Sequence, residues 1–349
     1  MSGGVDSAVT AAILKSKGYD VIGVTMAIWG DKKAKNIDMK HNACLGPNEK
    51  EDIEVAKQIS KKLNIEHIVI DCSKEYDDIV LNNFKSEYLS GNTPNPCVRC
   101  NALIKFGVLL KIAKEQGIKF DKFATGHYAN IVEKDGVYYL KKARDKKKDQ
   151  SYFLYKLIQE QLKNIILPLG NMTKDEVRKI ASEYGLPVAD KKDSQDFYEG
   201  DYNELLSIDN KEGNIIDERE KILGKHNGFW NYTIGQRKGL NISFNKPLYV
   251  IKLNKDTNEV VVGDIDATFK KELIATEVNF PSVKMIDEQI SYKAKIRSSN
   301  SLSDCKINLI EEKLKVEFLD YQKAITKGQS VVVYNDETVV CGGIISEVF

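Results

Sequence analysis

The sequence has no long hydrophobic run and no marked excess of charge of either sign. Apolar stretches such as residues 21–29 are much shorter than the about 20 residues that a transmembrane helix needs, so we expect no membrane partner. Its 52 basic and 51 acidic residues give a net charge of +1. Bulk charge therefore does not predict a nucleic-acid partner, and any such contact has to depend on local basic patches. A basic start followed by an apolar signal segment is also missing, which favours a cytoplasmic location over export.

Cysteine and histidine are scarce and scattered, with six and four residues among 349. That distribution is typical of a reducing compartment rather than of a disulfide framework. A zinc site is disfavoured because it normally takes two cysteine pairs, or cysteines with closely spaced histidines. The one close pair lies in the segment TPNPCVRCN at residues 93–101. The cysteines are Cys44, Cys72, Cys97, Cys100, Cys305 and Cys341.

The first half of the chain alternates between strand and helix patterns. Residues 21–29 form a nearly continuous apolar run, as expected of a parallel strand covered on both faces. Strand patterns follow at 66–71 and 122–129, and helical spacing covers 53–63 and 103–117. The alternation predicts an α/β domain built on a doubly wound parallel sheet.

The second half reads as antiparallel strands separated by turn signals. Before that change, Thr173 and Glu176 have the spacing of a capping box, which predicts a helix that ends near Gly185. Beyond about residue 205, short β-rich runs predict a small β module and then a β-barrel. We therefore predict three domains, with boundaries at 1–200, 201–265 and 266–349.

The strongest chemical signal is the stretch SGGVDS at residues 2–7, which runs directly into a helix pattern. Small residues let the backbone approach an anion, and the first helical turn directs N–H groups and a positive dipole end toward it. A plain glycine turn is the alternative interpretation of the glycines alone. Because the loop begins at residue 2, the strand that should precede it is missing. We expect either a start further upstream or a loosened nucleotide site.

Several motifs, taken together and in this order, are specific. After SGGVDS come TPNPCVRCN, GHYA at 126–129 and KDQSYFL at 148–154, and then GLPVADKKDSQ at 185–195, YTIGQRKGL at 232–240 and GQSVVVY at 328–334. With them the chain resembles the bacterial tRNA-specific 2-thiouridylases, the MnmA family of PP-loop ATP pyrophosphatases. The resemblance spans nearly the whole chain and implies an adenine-nucleotide-hydrolase-like α/β fold.

The resemblance also implies a reaction. The family replaces the C2 oxygen of the wobble uridine, position 34 of tRNA, with sulfur. A carbonyl oxygen is a poor leaving group. Adenylation by ATP releases pyrophosphate and makes the oxygen part of a good leaving group, AMP, which sulfur can displace. The implied cofactors and partners are ATP, Mg²⁺, the anticodon stem-loop of tRNAs for Lys, Glu and Gln, and a sulfur donor. That donor is either a persulfide relay protein or free sulfide.

Site residues follow from the same resemblance. The ATP contacts are Ser2, Gly3, Gly4, Val5, Asp6, Ser7, Met26 and Gly126, with Asp6 and Ser7 orienting phosphates and metal. Met26 alone would be read as strand core. The expected tRNA contacts are Asn95, Pro96, Cys97, His127, Lys148, Asp149, Gln150, Lys295, Ile296 and Gln329. The basic run at 141–150 adds phosphate-binding charge there, although an isolated run of this kind is often only a solvated loop.

The cysteines depart from the family pattern. Cys100 stands where the family has its nucleophile, but Tyr198 stands where a second, persulfide-carrying cysteine is expected. In one explanation, Cys97 and Cys100 carry both roles and close a disulfide, helped by a helix N-terminus and Arg99. In a second, Cys97, Cys100 and Cys44 hold a [4Fe-4S] cluster, with Cys72 as the reserve ligand. In a third, the protein is inactive.

Two functions of other classes stay open at this point. One is another PP-loop ATP pyrophosphatase, such as a synthetase-type enzyme that adenylates a carboxylate. The other is a tRNA-binding homologue without catalysis. The TPNPCVRCN and KDQSYFL segments weigh against the first, and the retained phosphate loop and Cys100 weigh against the second.

Overall fold

The structure, a computed structural model, describes residues 1–30, 45, 48–189, 191, 197–198, 202–282, 286–287 and 290–349. The chain divides into two compact units. The first unit comprises Met1–Val80, Pro96–Gly200 and Glu337–Val339, and the second comprises Leu81–Asn95, Asp201–Asp336 and Val340–Phe349.

The first unit combines helices with short strands, which form two parallel pairs and one antiparallel pair. The α-helices are α1 (Val5–Ser16), α2 (Glu49–Leu63), α3 (Ser73–Tyr76), α5 (Pro96–Arg99), α6 (Leu109–Glu115), α7 (Gln159–Asn164) and α8 (Lys174–Glu183). The strands are β1 (Ile22–Ala27), β2 (Glu66–Asp71), β3 (Phe123–Ala124), β4 (Asn130–Lys134), β5 (Val137–Lys141) and β6 (Ile165–Ile166). Helix α4 (Asn82–Leu89), which follows them in number, belongs to the second unit.

The parallel strands confirm the predicted α/β class. β1 pairs with β2 in the register Ile22 to Glu66, and β3 pairs with β6 in the register Phe123 to Ile165. In the described part of the chain these are two separate two-stranded parallel sheets. β1 and β2 lie where the apolar runs predict them. The predicted strand at 122–129 is reduced to β3, because the chain turns after Ala124 and the Thr125 hydroxyl bonds the His127 ring at 2.8 Å.

Helix α8 shows the local rules most clearly. The Thr173 hydroxyl accepts from the Glu176 N–H, and the Glu176 carboxylate accepts from the Thr173 N–H at 2.7 Å. These two bonds satisfy orphan donors of the first turn, so the predicted capping box is confirmed. Helix α8 packs on α1 through Val177 and Ala181, which are fully buried.

The helix pattern at 103–117 contains an unexpected π-helix over Cys100–Val108. The Gln161 amide donates to the carbonyls of Ala102, at 3.1 Å, and Phe106, at 2.9 Å. Those carbonyls would accept intrahelical bonds in an α-helix, so a side chain that occupies them favours the wider turn. The sequence predicts the helix but not its winding, because the interfering side chain lies about 55 positions away on α7.

Antiparallel β-structure dominates the second unit. Beside α4 it contains α9 (Tyr202–Leu206), β7 (Gly213–Asp217), β8 (Ile222–His226), β9 (Tyr249–Asn254), β10 (Glu259–Gly263), β11 (Phe269–Asn279), β12 (Tyr292–Lys295), β13 (Ser303–Ile310), β14 (Lys313–Lys323), β15 (Ser330–Asn335) and most of β16 (Thr338–Val348). One sheet has the order β8-β7-β10-β9. Six strands, ordered β11-β14-β13-β12-β15-β16, close through a β11–β16 pairing, which confirms the predicted barrel.

The barrel interior follows from alternating burial along its strands. In β14, Leu314, Val316 and Phe318 point inward and are at most 2% exposed. Lys313, Lys315 and Glu317, which alternate with them, point outward and are charged, as expected for strands with one buried face. No helix among the described residues is long and apolar enough to cross a membrane.

Candidate functional site

The phosphate loop, which we define as residues 2–7, forms a tight turn at the N-terminus of α1. Gly3 has φ +64°, and a Cβ there would lie 2.7 Å from the Asp52 carbonyl oxygen, so only glycine fits. The Ser7 hydroxyl donates to the Gly4 carbonyl at 3.0 Å and accepts from the Ser2 N–H at 3.2 Å. The loop therefore holds a fixed shape at the positive end of a 12-residue helix dipole, as an anion site requires.

Asp6 is held by two side chains of its own unit. Both of its carboxylate oxygens accept from the Lys174 ammonium, at 2.8 and 2.9 Å, and one accepts from the Tyr128 hydroxyl at 2.9 Å. Lys174 is 8% exposed. In this structure the Asp6 carboxylate is ion-paired with Lys174, and its role in orienting phosphates and metal stays a prediction.

Gly126 lies directly on the phosphate loop. A Cβ at Gly126 would be 2.7 Å from the Asp6 carbonyl carbon and 2.8 Å from the Asp6 Cβ. The absence of a side chain at Gly126 therefore lets β3 approach α1. Both Gly126 and Met26, which is half-buried on β1, line the same cavity as the loop.

That cavity has a volume of about 730 Å³, which is in the range of nucleotide and cofactor sites. Its wall includes seven of the predicted site residues: Ser2, Asp6, Ser7, Met26, Gly126, His127 and Gln150. It also runs along β1, from Ile22 to Met26, and it reaches Phe123 on β3. Lys105, Leu109 and Ala113 line another side, so the helix that starts at Cys100 runs along the cavity.

His127 is held neutral at its position beside the cavity. Its Nδ1 and the Thr125 hydroxyl are 2.8 Å apart. Burial lowers the pKa of His127 well below its ordinary value, and the nearby charge of Lys105 lowers it further. The imidazole therefore acts at neutral pH as a hydrogen-bonding group and not as a cation.

The predicted triplet at 148–150 is built into the fold. Gln150 exchanges two bonds with Tyr128: its amide oxygen accepts from the Tyr128 N–H at 2.9 Å, and its own N–H donates to the Tyr128 carbonyl at 2.8 Å. Asp149 accepts from the Ala143 N–H at 3.0 Å and from the Ser151 hydroxyl at 2.9 Å. These bonds fix the turn after the basic run, and Lys148 is half-buried beside them.

Cys97 and Cys100 lie one helical turn apart. Cys97 is half-buried on α5, and Cys100, which is 8% exposed, opens the π-helix. The Arg99 Nε donates to the Ile79 carbonyl at 3.0 Å, and the expected help from Arg99 stays a prediction. Because the two cysteines are three residues apart on adjoining helical segments, their thiols lie on the same side of the chain.

The residues described here do not provide a cluster-binding donor set. Cys44 lies outside the described residues. Cys72 is fully buried, and burial, reinforced by Glu75 and Asp71, raises its pKa to about 12. In the described ranges, no group of three or more His, Cys, Asp or Glu side chains is arranged to hold a metal ion. Tyr198, in the place of the expected cysteine, is 3% exposed.

In the second unit, two predicted tRNA-contacting segments lie together. The Gln329 amide donates to the carbonyls of Thr93, at 2.8 Å, and Pro94, at 3.3 Å, immediately before Asn95 and Pro96 in the chain. The Thr93 N–H in turn donates to the Lys327 carbonyl at 2.8 Å. Gln329 therefore positions the start of the cysteine segment.

The predicted pair at 295–296 divides between surface and core. Lys295 is half-buried on β12, but Ile296 is 2% exposed and belongs to the barrel core. The Ile296 side chain is therefore not available to RNA, which corrects the expectation for that side chain. Neighbouring Arg297 donates to the Thr326 hydroxyl at 2.7 Å.

Sequence reasoning missed Lys174 and Lys105. Lys174 is the first residue of α8, where the helix dipole disfavours a cation. A lysine in that position signals a specific anionic partner, which the structure identifies as Asp6. Lys105 carried no comparable signal, since a lysine at intervals along a helix usually marks its solvent face.

Comparisons with known proteins match this arrangement over the whole chain. The family described as "tRNA methyl transferase HUP domain" matches residues 1–198, "tRNA methyl transferase PRC-barrel domain" matches residues 206–264, and "Aminomethyltransferase beta-barrel domain" matches residues 270–345. The structure of NMN synthetase from Francisella tularensis is 18% identical to this chain, and the match covers 54% of this chain and 62% of that one with a TM-score of 0.29.

Curated relatives share far more of the sequence. The tRNA-specific 2-thiouridylase MnmA of Endomicrobium trichonymphae is 48% identical, over 99% of this chain and 97% of that protein. The protein of the same name from Clostridioides difficile is 46% identical over the same shares of each chain. This chain belongs to the MnmA family of tRNA-specific 2-thiouridylases.

Proposed function

We propose that the chain is an ATP-dependent tRNA 2-thiouridylase that adenylates the C2 oxygen of wobble uridine 34 and replaces it with sulfur delivered at Cys97 and Cys100. The observation that carries this proposal is the course of one helix. The segment that begins with Cys100 runs along the cavity onto which the phosphate loop faces. Nucleotide activation and sulfur delivery then take place within one unit.

In the first step, the uridine oxygen attacks the α-phosphorus of ATP and the bond to the β-phosphate breaks. Pyrophosphate leaves with that electron pair, toward the N–H groups of the phosphate loop. Asp6, whose charge is balanced by Lys174, holds α1 and the loop in register. Mg²⁺, which the family's ATP chemistry implies, would neutralise phosphate charge, with oxygens of the phosphates as its main ligands.

In the second step, a sulfur nucleophile attacks C2 and the C–O bond breaks, so that AMP leaves with the oxygen. If one thiol of the pair carries the sulfur as a persulfide, the other thiolate attacks the carrier sulfur, releases 2-thiouridine and closes a disulfide. A persulfide donor must then reload the site, and a thiol reductant must reopen the disulfide. We propose this route because it needs only the two thiols of this segment, whereas the cluster also needs Cys44, which lies outside the described residues.

The substrate is a tRNA whose target base leaves the stack, because a stacked base is out of reach of such chemistry. We propose that residues 1–200 carry the catalysis, and that residues 201–265 and 266–349 contact the anticodon stem by shape and phosphates. Asn95, Pro96, Lys148, Lys295 and Gln329 stay the predicted contacts. The tRNAs for Lys, Glu and Gln are the expected substrates, in the cytoplasm.

The test is mass analysis of tRNA nucleosides after reaction with labelled ATP and a persulfide source. Cys100→Ser should still split ATP into AMP and pyrophosphate in the presence of tRNA but form no 2-thiouridine. Cys305→Ala, which removes a thiol from the barrel core, serves as the control and should thiolate like the parent protein. Thiolation by Cys100→Ser at the parent rate would refute the assigned nucleophile. A protein that never splits ATP when tRNA is added would refute the proposed function.

A further inference from the structure

Lys105 differs from the other lysines around the phosphate loop. Lys174 is paired with Asp6, and Lys191 donates to Asp52 at 2.6 Å and to the Gly3 carbonyl at 3.1 Å. In the part of the chain that the structure describes, Lys105 forms no ion pair. Its ammonium donates to one acceptor, the Asn101 side-chain oxygen, at 3.0 Å.

The orientation of Lys105 is fixed from inside the fold. Asn101 is 4% exposed, and its amide nitrogen donates to the Phe153 carbonyl at 3.2 Å. This leaves the amide oxygen directed at Lys105. The π-helix places the two residues on one side of the wider turn, four positions apart. The hydrogen bond to a buried amide therefore restricts the Lys105 side chain to fewer conformations than a surface lysine has.

The position of Lys105 joins the two halves of the proposed reaction. It is half-buried, and it lines the cavity together with Ser2, Ser7 and His127. It stands five residues after Cys100 on the same helical segment. A half-buried ammonium with two unused donors normally needs a counter-charge, and here none comes from the described residues. An anionic ligand in the cavity supplies one.

We propose that Lys105 is a catalytic residue that binds the α-phosphate of ATP and keeps its contact with the same phosphate after adenylation. In the first step it stabilises the charge that develops on the equatorial oxygens during attack by the uridine oxygen. In the second step it stabilises the AMP phosphate as the C–O electron pair moves onto the departing oxygen. His127, which is neutral and lines the same cavity, adds no second positive charge. The inference rests on the proposed function, and it names the side chain that activates the α-phosphate of ATP in that reaction.

The experiment compares Lys105→Met and Lys105→Arg with Lys111→Met. Lys111 lies on α6, the same helical run, but its side chain is 76% exposed and is not part of the cavity wall. Each variant is assayed for ATP binding by equilibrium dialysis, for tRNA-dependent pyrophosphate release and for 2-thiouridine in a single turnover. Circular dichroism and a urea titration establish that each variant is folded.

Removing one preorganised donor from a transition state commonly costs about 100- to 1,000-fold in rate. We therefore expect Lys105→Met to slow pyrophosphate release by about 100-fold or more while ATP binding weakens by no more than about 10-fold. Lys105→Arg should recover part of the rate, and Lys111→Met should match the parent. If Lys105→Met does not fold, Lys105→Ala with added ethylammonium must show a rate that rises with the amine.

Two results overturn the inference: Lys105→Met within threefold of Lys111→Met, or an equal loss in ATP binding and rate, which would mark a ground-state contact only. Failure of the parent protein to release pyrophosphate with tRNA is a different outcome. It refutes the proposed function itself, so the two failures are distinguishable.

Discussion

Replacing Lys174 with methionine should destabilise the first unit selectively, because it leaves the Asp6 carboxylate without its cation. The ion pair is short, at 2.8 Å, and the exposed fractions of the Lys174 and Asp6 side chains are 10% and 30%. Removing one partner of a buried pair costs about 3–5 kcal/mol. Since Asp6 is partly open to water, we expect about 3 kcal/mol, the lower end of that range.

The two tryptophans allow the units to be followed separately. Trp29 is buried in the first unit and Trp230 in the second. In a Trp230→Phe background, urea titration followed by fluorescence reports Trp29 alone. With a slope of about 2 kcal/mol per molar urea, the midpoint for Lys174→Met should fall by about 1.5 M.

Two further variants make the reasoning refutable. Lys179→Met removes an exposed lysine from the same helix, with 78% of its side chain accessible, and should cost less than about 0.5 kcal/mol. Asp6→Asn combined with Lys174→Met removes both charges and should regain about half of the loss, since an amide still accepts from Tyr128. The reasoning fails if Lys174→Met behaves like Lys179→Met, or if the double variant is less stable than Lys174→Met alone.

Two shorter predictions concern the cavity and the thiols. Gly126→Ala should weaken ATP binding, measured by equilibrium dialysis, by about 10-fold or more, because the added Cβ would push the phosphate loop away. The control is Gly107→Ala, whose Cβ would meet no atom closer than 3.4 Å. Iodoacetamide at pH 8 should label Cys97 before Cys72 and Cys305, because burial raises the pKa of each of the latter two thiols to about 12. Peptide mass analysis that finds Cys72 labelled first in the folded protein would contradict this.

The fold could be predicted from sequence wherever local rules decide it. The strands β1 and β2 follow apolar runs, and the capping box at Thr173 is a local hydrogen-bond pattern, so both are found where the sequence places them. The π-helix after Cys100 depends on Gln161, and the end of β3 depends on a turn that leads into the cavity. A contact between distant positions decides the first feature and a short-range turn decides the second, and hydrophobic periodicity predicts neither of them.

The candidate site divides in the same way. Close backbone approach requires glycine at Gly3 and Gly126, so these positions could be recognised from the sequence. Lys174 and Lys105 act through partners that only the fold brings near, namely Asp6 and the buried Asn101. Ile296 shows the opposite error: its position in a motif predicts a contact, but alternation along the barrel turns the side chain inward.

The arrangement of charge around the loop gives the nucleotide a direction. Asp6 and Asp52, which would repel a triphosphate, are each neutralised by a lysine, so the N–H groups of α1 attract the pyrophosphate end without opposition. Among the described residues, Lys105 has no carboxylate partner, and it lies on the helix that begins with Cys100 and lines another side of the cavity. A nucleotide bound with its terminal phosphates at the loop would therefore place its α-phosphate toward that wall. In the proposed mechanism, the adenylated oxygen would then lie at the side of the cavity lined by the helix that begins with Cys100, so one charge pattern would set both where ATP is cleaved and from which side sulfur must arrive.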